Sequence, residues 1–174
     1  MTTIAARVTK RFTEIAADRR GTCDNGTLYI NTASKLHIGD GFAAALAGSR
    51  VDGEMWGEFI AKVKPPAPLD APGVRALGRQ FREFLREEAN RDYKPASVVI
   101  MALPTGIAML WLDDCVCEFR DTMPAMCVQG SGYSHAYAVM CAGHGVRTAV
   151  RVACELDTAS GGPVDYARIP RVSP

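Results

Sequence analysis

The order in which apolar periodicity changes along the 174-residue chain is the feature that most restricts its fold. Two runs with strand character, Thr3–Val8 and residues 11–17, flank a short turn and predict a hairpin, with apolar and polar residues partly alternating in the second. A turn signal at Asp24-Asn25-Gly26 leads into three short strand candidates, residues 28–31, 36–38 and 42–47, the last two around Gly39-Asp40-Gly41. Residues 51–63 then place Met55, Trp56, Phe59, Ile60 and Val63 close to helical period. Over residues 73–90, Val74, Leu77, Phe81, Phe84 and Leu85 share one face while Arg79, Arg82, Glu83 and Arg86 lie elsewhere, an amphipathic surface helix with a solvated charge run. Strand character returns at 97–103 and 107–112 around Pro104-Thr105-Gly106, and residues 115–120 and 126–129 are expected to extend the same sheet. Residues 134–142 and 146–156 read as two helices broken by Gly143-His144-Gly145, and a last strand, 164–169, follows Ser160-Gly161-Gly162-Pro163.

Helices that arrive in consecutive pairs between groups of strands predict a layered α+β fold; a doubly wound α/β fold would alternate single strands and helices. The stretch from Lys64 to Pro72 carries four prolines in nine residues and is expected to be an extended connection that cannot sustain a helix. It joins helices within one continuous pattern, so residues 1–174 are read as a single domain, long enough to bury a substantial core. A formal net charge of +1 without blocks of like charge gives no electrostatic support for a nucleic-acid or anionic-membrane partner. No apolar run approaches the roughly 20 residues that span a bilayer, no signal-peptide h-region is visible, and a cytoplasmic location is expected. The six cysteines form no C-x-x-C pair and the three histidines are scattered, so free, mostly buried thiols are expected in place of disulfides or a zinc site. Cys115 and Cys117, two residues apart, would share a strand face.

The chemistry-bearing residues begin with Thr2. A threonine hydroxyl is a poor nucleophile at neutral pH, but a free α-amine on the same residue, with a reference pKa of roughly 8, can accept its proton. Downstream come Asp18 in Ile15-Ala16-Ala17-Asp18-Arg19, Lys35 in Ala33-Ser34-Lys35-Leu36, and Gly48 in Ala47-Gly48-Ser49-Arg50-Val51-Asp52. Gly130-Ser131-Gly132 and Asp157-Thr158-Ala159-Ser160-Gly161-Gly162 follow. Singly, each has a plain structural explanation: a strand-end carboxylate, a strand-to-helix turn, a loop, a glycine-capped helix end. Together and in this order they resemble the proteasome β-subunit and HslV peptidase family of N-terminal-nucleophile hydrolases, through most of the chain. The resemblance implies a four-layer αββα sandwich of two antiparallel sheets flanked by helices.

It also implies roles. Thr2 would be the nucleophile once Met1 is removed, and Lys35 would disfavour protonation of the amine and steady charge on the threonine oxygen, oriented by Asp18. The spacing from Asp18 to Lys35 is one residue longer than the family's, an excess that the Asp24-Asn25-Gly26 turn can absorb. Gly48 would donate its N–H to an oxyanion, and Ser131, Asp157 and Ser160 would gather around the threonine. Gly21, Thr22, Leu46 and Arg50 would border the substrate, Leu46 at the base of an apolar pocket or as plain strand core. No metal or organic cofactor is required. The resemblance further implies a ring or helical homo-oligomer enclosing its active sites, acting on unfolded polypeptides, with any ATP-dependent unfoldase a separate chain because no P-loop is present. The competing readings are a catalytically silent structural or assembly subunit of the same fold and a small-molecule amidase. A serine hydrolase is disfavoured by the absence of a Gly-x-Ser-x-Gly elbow.

Overall fold

The computed structural model describes residues 2–22, 27–30, 34–65, 69–88, 93–113 and 116–172. Strands β1 (Thr3–Val8) and β2 (Phe12–Asp18) form the predicted hairpin, in register from Ile4 opposite Ala17 to Val8 opposite Thr13. Thr9 closes the turn by donating its N–H to the Phe12 carbonyl at 2.8 Å. Strand β10 (Ala125–Gly130) pairs with the other edge of β1, and β11 (Val164–Pro170) with β2, giving an antiparallel sheet in the order β10-β1-β2-β11. The second sheet runs β5 (Leu36–Gly39), β6 (Phe42–Ala47), β7 (Val98–Leu103), β8 (Gly106–Trp111) and β9 (Cys117–Arg120), every neighbour antiparallel. A short separate pair joins β3 (Arg20–Thr22) to β4 (Leu28–Ile30).

Strand alternation builds the layers. Ile4, Ala6, Val8, Ile15 and Ala17 of one sheet meet Ala43, Ala45, Ile100, Ala102, Ile107 and Met109 of the other in the intersheet core. The opposite face of the five-stranded sheet sends Phe42, Ala44, Val99, Met101 and Leu110 against helices α1 (Arg50–Lys62) and α2 (Ala71–Glu88). There Trp56 and Phe81 meet edge to face, with centroids 5.0 Å apart, a contact worth about 0.5–1.5 kcal/mol beyond burial. Ala5, Ala16 and Val128 pack against α3 (Tyr133–Cys141) and α4 (Val146–Leu156). The result is the expected αββα sandwich.

Two elements depart from the sequence reading. Helix α2 starts at Ala71, so Pro72 lies in its first turn and not in an extended connection. Proline is tolerated there because its missing N–H would have no intrahelical partner. Asp70 makes the start, its Oδ1 accepting the Gly73 N–H at 2.9 Å and its carbonyl the Val74 N–H at 2.8 Å. Strand β9 does extend the five-stranded sheet, but β10 crosses to the other sheet and turns Ala125 and Cys127 into the core between them. A half-buried apolar run records that a strand exists, not which sheet edge accepts it.

The cysteines also differ: Cys117, Cys127, Cys141 and Cys154 carry free thiols, yet only Cys127 is buried and Cys141 is exposed. The turn at Asp24-Asn25-Gly26, Cys23, Cys115, Asn31, the Pro66–Pro68 part of the connection, Asn90 and Met1 lie outside the described residues. No helix among the described residues is long and apolar enough to cross a membrane.

Candidate active site

The pairing registers bring the start of β1, the ends of β2 and β10 and the start of β11 to one end of their sheet, since Thr3 lies opposite Gly130 and Val164 opposite Asp18. In the other sheet Leu36 pairs with Ala45, so Lys35 and the turn at Gly48 also emerge together. Alternation places Thr2 on the Ile4 side, toward the gap between sheets, and Thr3 on the Ala5 side, toward α4. Both threonines are buried.

Lys35 reaches Thr2 from the second sheet. Its Nζ lies 2.8 Å from Thr2 Oγ1 and 3.2 Å from Asp18 Oδ1, and it donates to the Arg20 carbonyl. Asp18 is fully buried at the end of β2. Its Oδ1 also accepts the Thr3 N–H at 2.8 Å, and its Oδ2 accepts the N–H groups of Gly161 at 2.9 Å and Arg20 at 3.2 Å. A carboxylate without water persists only when so surrounded by donors. Burial pushes the Lys35 ammonium below the ordinary lysine value, an effect that the charge and hydrogen bond of Asp18 partly oppose. Lys35 thus yields a proton more readily than an ordinary lysine, with its Nζ aimed at a hydroxyl.

Ser131, Asp157 and Ser160 form a second group. Both serine hydroxyls lie 2.6 Å from Asp157 Oδ2 and donate to it. Ser160 Oγ is also 2.5 Å from Thr3 Oγ1, which accepts the Gly132 N–H at 3.0 Å. Each hydroxyl owns one hydrogen, and that of Ser160 goes to Asp157. The Thr3 hydroxyl therefore donates to Ser160, completing a chain from Thr3 through Ser160 to Asp157. The Ser131 N–H donates to the Thr2 carbonyl at 3.0 Å. That approach requires Gly130, whose φ is +101° and at which a Cβ would fall 1.5 Å from the Thr2 carbonyl oxygen.

Burial pushes the Asp157 carboxyl up, but hydrogen bonds from Ser131, Ser160 and the Ala159 N–H outweigh it and hold the group below the usual aspartate value. A depressed carboxylate contributes stability that is complete above its unfolded value and is lost as pH falls through the folded one. Asp157→Asn is therefore expected to flatten the acid limb of the stability profile below the ordinary value of 3.8, as read by thermal melts across acidic pH. An unchanged acid limb would show that the cluster does not hold this proton off.

Among the described residues, no hydrogen bond joins the remaining predicted residues to Thr2. Gly48, exposed with φ of +147°, follows β6; no hydrogen bond joins it to the Thr2 cluster among the described residues. Leu46 is buried in the core between the five-stranded sheet and its helices. Arg50 is exposed and pairs with Glu54 one helical turn on, Nε to Oε1 2.7 Å, a surface pair worth a few tenths of a kcal/mol. Gly21 is buried in β3 opposite Tyr29; Thr22 pairs through its backbone with Leu28, its side chain lying outside the described residues. No group of three or more His, Cys, Asp or Glu able to hold a metal occurs among the described residues.

Sequence reasoning missed three supports. Thr3 belongs to the serine–aspartate chain, and the doubled threonine was its only signal. The Arg20 carbonyl receives Lys35 while its Nη1 donates to the Thr158 carbonyl at 2.9 Å. Asp165 takes the Arg19 guanidinium, Nη2 to Oδ1 2.6 Å, and the Ser34 hydroxyl at 2.6 Å, tethering the residue before Lys35 to β11.

Two facing antiparallel sheets, a helix pair on each outer face and a threonine entering β1 beside a buried Lys–Asp pair define the proteasome/HslV N-terminal-nucleophile hydrolase fold. Solved structures agree. Thiobacillus denitrificans BPH in complex with epoxomicin matches with a TM-score of 0.83 at 19% identity, over 98% of this chain and 100% of that one. Another structure of Thiobacillus denitrificans BPH gives 0.81 at 20% identity, covering 98% of each chain. The eukaryotic HslV from Trypanosoma brucei gives 0.74 at 19%, over 97% of this chain and 99% of that one. No family model matches the sequence, and no curated protein sequence does either. Proteins of this proteasome-like fold typically form homo-oligomeric rings.

Proposed function

We propose that the chain is the subunit of a self-compartmentalising threonine endopeptidase, with Thr2 Oγ1 as nucleophile once the Met1–Thr2 bond has been cut. The observation that carries this reading is the Lys35 Nζ held 2.8 Å from Thr2 Oγ1 by a fully buried Asp18. The freed α-amine takes the hydroxyl proton as the oxygen attacks a peptide carbonyl, and Lys35 steadies the developing negative charge. The amine then passes that proton to the departing amine of the product. Water, deprotonated by the same α-amine, hydrolyses the threonine ester, and the proton returns to Oγ1. Gly48 supplies an oxyanion N–H, and Ser131, Asp157 and Ser160 orient the α-amine and the attacking water. Gly21, Thr22, Leu46 and Arg50 border the peptide. By the same reading the subunits enclose a chamber in the cytoplasm, entered by unfolded chains with or without a separate unfoldase.

One similar structure is a complex with epoxomicin, a peptide epoxyketone, which makes that compound the direct probe. Intact mass before and after exposure is expected to show loss of Met1 and one adduct, located at Thr2 by peptide mapping. Retained Met1 with no adduct would instead favour the catalytically silent subunit.

A further inference from the structure

Asp52 is fully buried, yet none of the chemistry above uses it. It sits in the first turn of α1, three residues after the N-cap Ser49, at the spacing of a capping box. Ser49 plays its half, its side chain accepting the Val51 N–H at 3.2 Å. Asp52 does not return to the Ser49 N–H. That N–H goes to Ser97 Oγ at 2.9 Å, and the Ser97 hydroxyl donates to Asp52 Oδ2. Ser97 has thus been inserted between the two halves of the box. Asp52 also accepts the Tyr93 hydroxyl at 2.5 Å and the Ala96 N–H at 3.2 Å, so both its oxygens are engaged. Burial and the bond to Asp52 push the Tyr93 hydroxyl up to about 12, keeping it a donor at neutral pH.

The relay bears on the residue just before Ser49. At Gly48 a Cβ would fall 2.0 Å from Ser97 Oγ, so Ser97 fills the space a side chain would take and the backbone stays at a φ of +147°. Ala47 is held in the β6–β7 ladder and the Ser49 N–H is tied to Ser97. With both neighbours anchored, the direction of the Gly48 N–H is set by the relay. A helix cap alone would not need a desolvated carboxylate with three donors.

We propose that Ser97, Asp52 and Tyr93 are positioning residues that aim the Gly48 N–H at the carbonyl oxygen of a bound peptide. This rests on the threonine-peptidase reading, and the test separates the two. Epoxomicin is attacked at a ketone and places charge on a carbonyl oxygen. A peptide vinyl sulfone is attacked at an alkene carbon and places charge beside the sulfone, where an oxyanion donor has no part. In the full-length protein, Ser97→Ala and Asp52→Asn should lower kcat on a peptide amide and the epoxomicin labelling rate by about 10- to 100-fold. KM and vinyl sulfone labelling should stay near wild type. Tyr93→Phe, which removes one donor from Asp52, should show the same selectivity with a smaller loss and covers the case in which the other variants fail to fold. Equal slowing of both probes, or no slowing in folded variants, overturns the positioning role. A wild-type protein that neither probe labels overturns the peptidase reading and this inference with it.

Discussion

Thr2→Ala is expected to abolish epoxomicin capture and peptide hydrolysis while leaving the fold almost unchanged. The hydroxyl is the only group in the proposed mechanism that forms a bond to substrate, so no neighbour can replace it. Ser131 and Ser160 both spend their hydrogens on Asp157, and Thr3 spends its own on Ser160. None of these three is poised to attack. The structural cost is small because Lys35 keeps Asp18 and the Arg20 carbonyl as acceptors. Loss of one hydrogen bond costs about 0.5–1.5 kcal/mol, and a melting temperature lower by only about 1–6 °C follows for a chain of this size. Thr2→Ser keeps the oxygen and should retain capture at a reduced rate. Because Thr2 and Lys35 act as a unit, Lys35→Met added to Thr2→Ala should cause no further loss. Intact mass, a peptide-cleavage assay and a sedimentation measurement of assembly check all three points. An adduct of unchanged yield on the alanine variant would sink the mechanism.

What could be read in advance follows the range of the interaction. Helix α4 and strand β1 match their expected limits because Val146, Ala149, Val150 and Ala153, or Ile4, Ala6 and Val8, announce a face within a few residues. The motifs containing Asp18, Lys35, Ser131, Asp157 and Ser160 were visible as a series, and the structure draws them into two hydrogen-bonded groups joined through the Thr2–Thr3 backbone. The start of helix α2 departs from expectation because the prolines of the 64–72 stretch argue for extended chain, whereas Asp70 caps a helix that tolerates Pro72 in its first turn. The crossing of β10 departs from expectation because edge choice depends on which sheet has a free partner, which no local pattern records. Asp165 meets Arg19 and Ser34 across more than 130 positions, and no local period carries such a signal. Asp52 stands at capping-box spacing from Ser49, yet its carboxylate accepts from Tyr93, Ala96 and Ser97, more than 40 positions away, and no local pattern announces those partners.

The largest expected loss of stability is at Asp18. Asp18→Ala leaves the N–H groups of Thr3, Gly161 and Arg20 without this acceptor and the buried Lys35 ammonium without its carboxylate. Removing one partner of a buried ion pair costs about 3–5 kcal/mol, which is roughly 6–20 °C in melting temperature for a chain of this length. Lys35→Met should cost less, because Asp18 keeps the N–H groups of Thr3, Gly161 and Arg20 as hydrogen-bond donors. Both single variants are expected to lose epoxomicin capture, one by misplacing the lysine and the other by deleting it. The double variant should melt above Asp18→Ala, since it no longer buries an ammonium deprived of its carboxylate, while remaining inactive. The sign with pH follows from Lys35. Its folded value lies below the ordinary 10.5 because burial disfavours the ammonium, so the stability it withholds at lower pH is recovered as pH rises toward that value. Without Asp18 the folded value drops further. The gap in melting temperature between wild type and Asp18→Ala should therefore narrow from neutral to alkaline pH, and adding Lys35→Met should abolish the narrowing. A gap that stays constant with pH, or a double variant no more stable than Asp18→Ala, would show that the lost backbone hydrogen bonds, and not the stranded lysine charge, account for the instability.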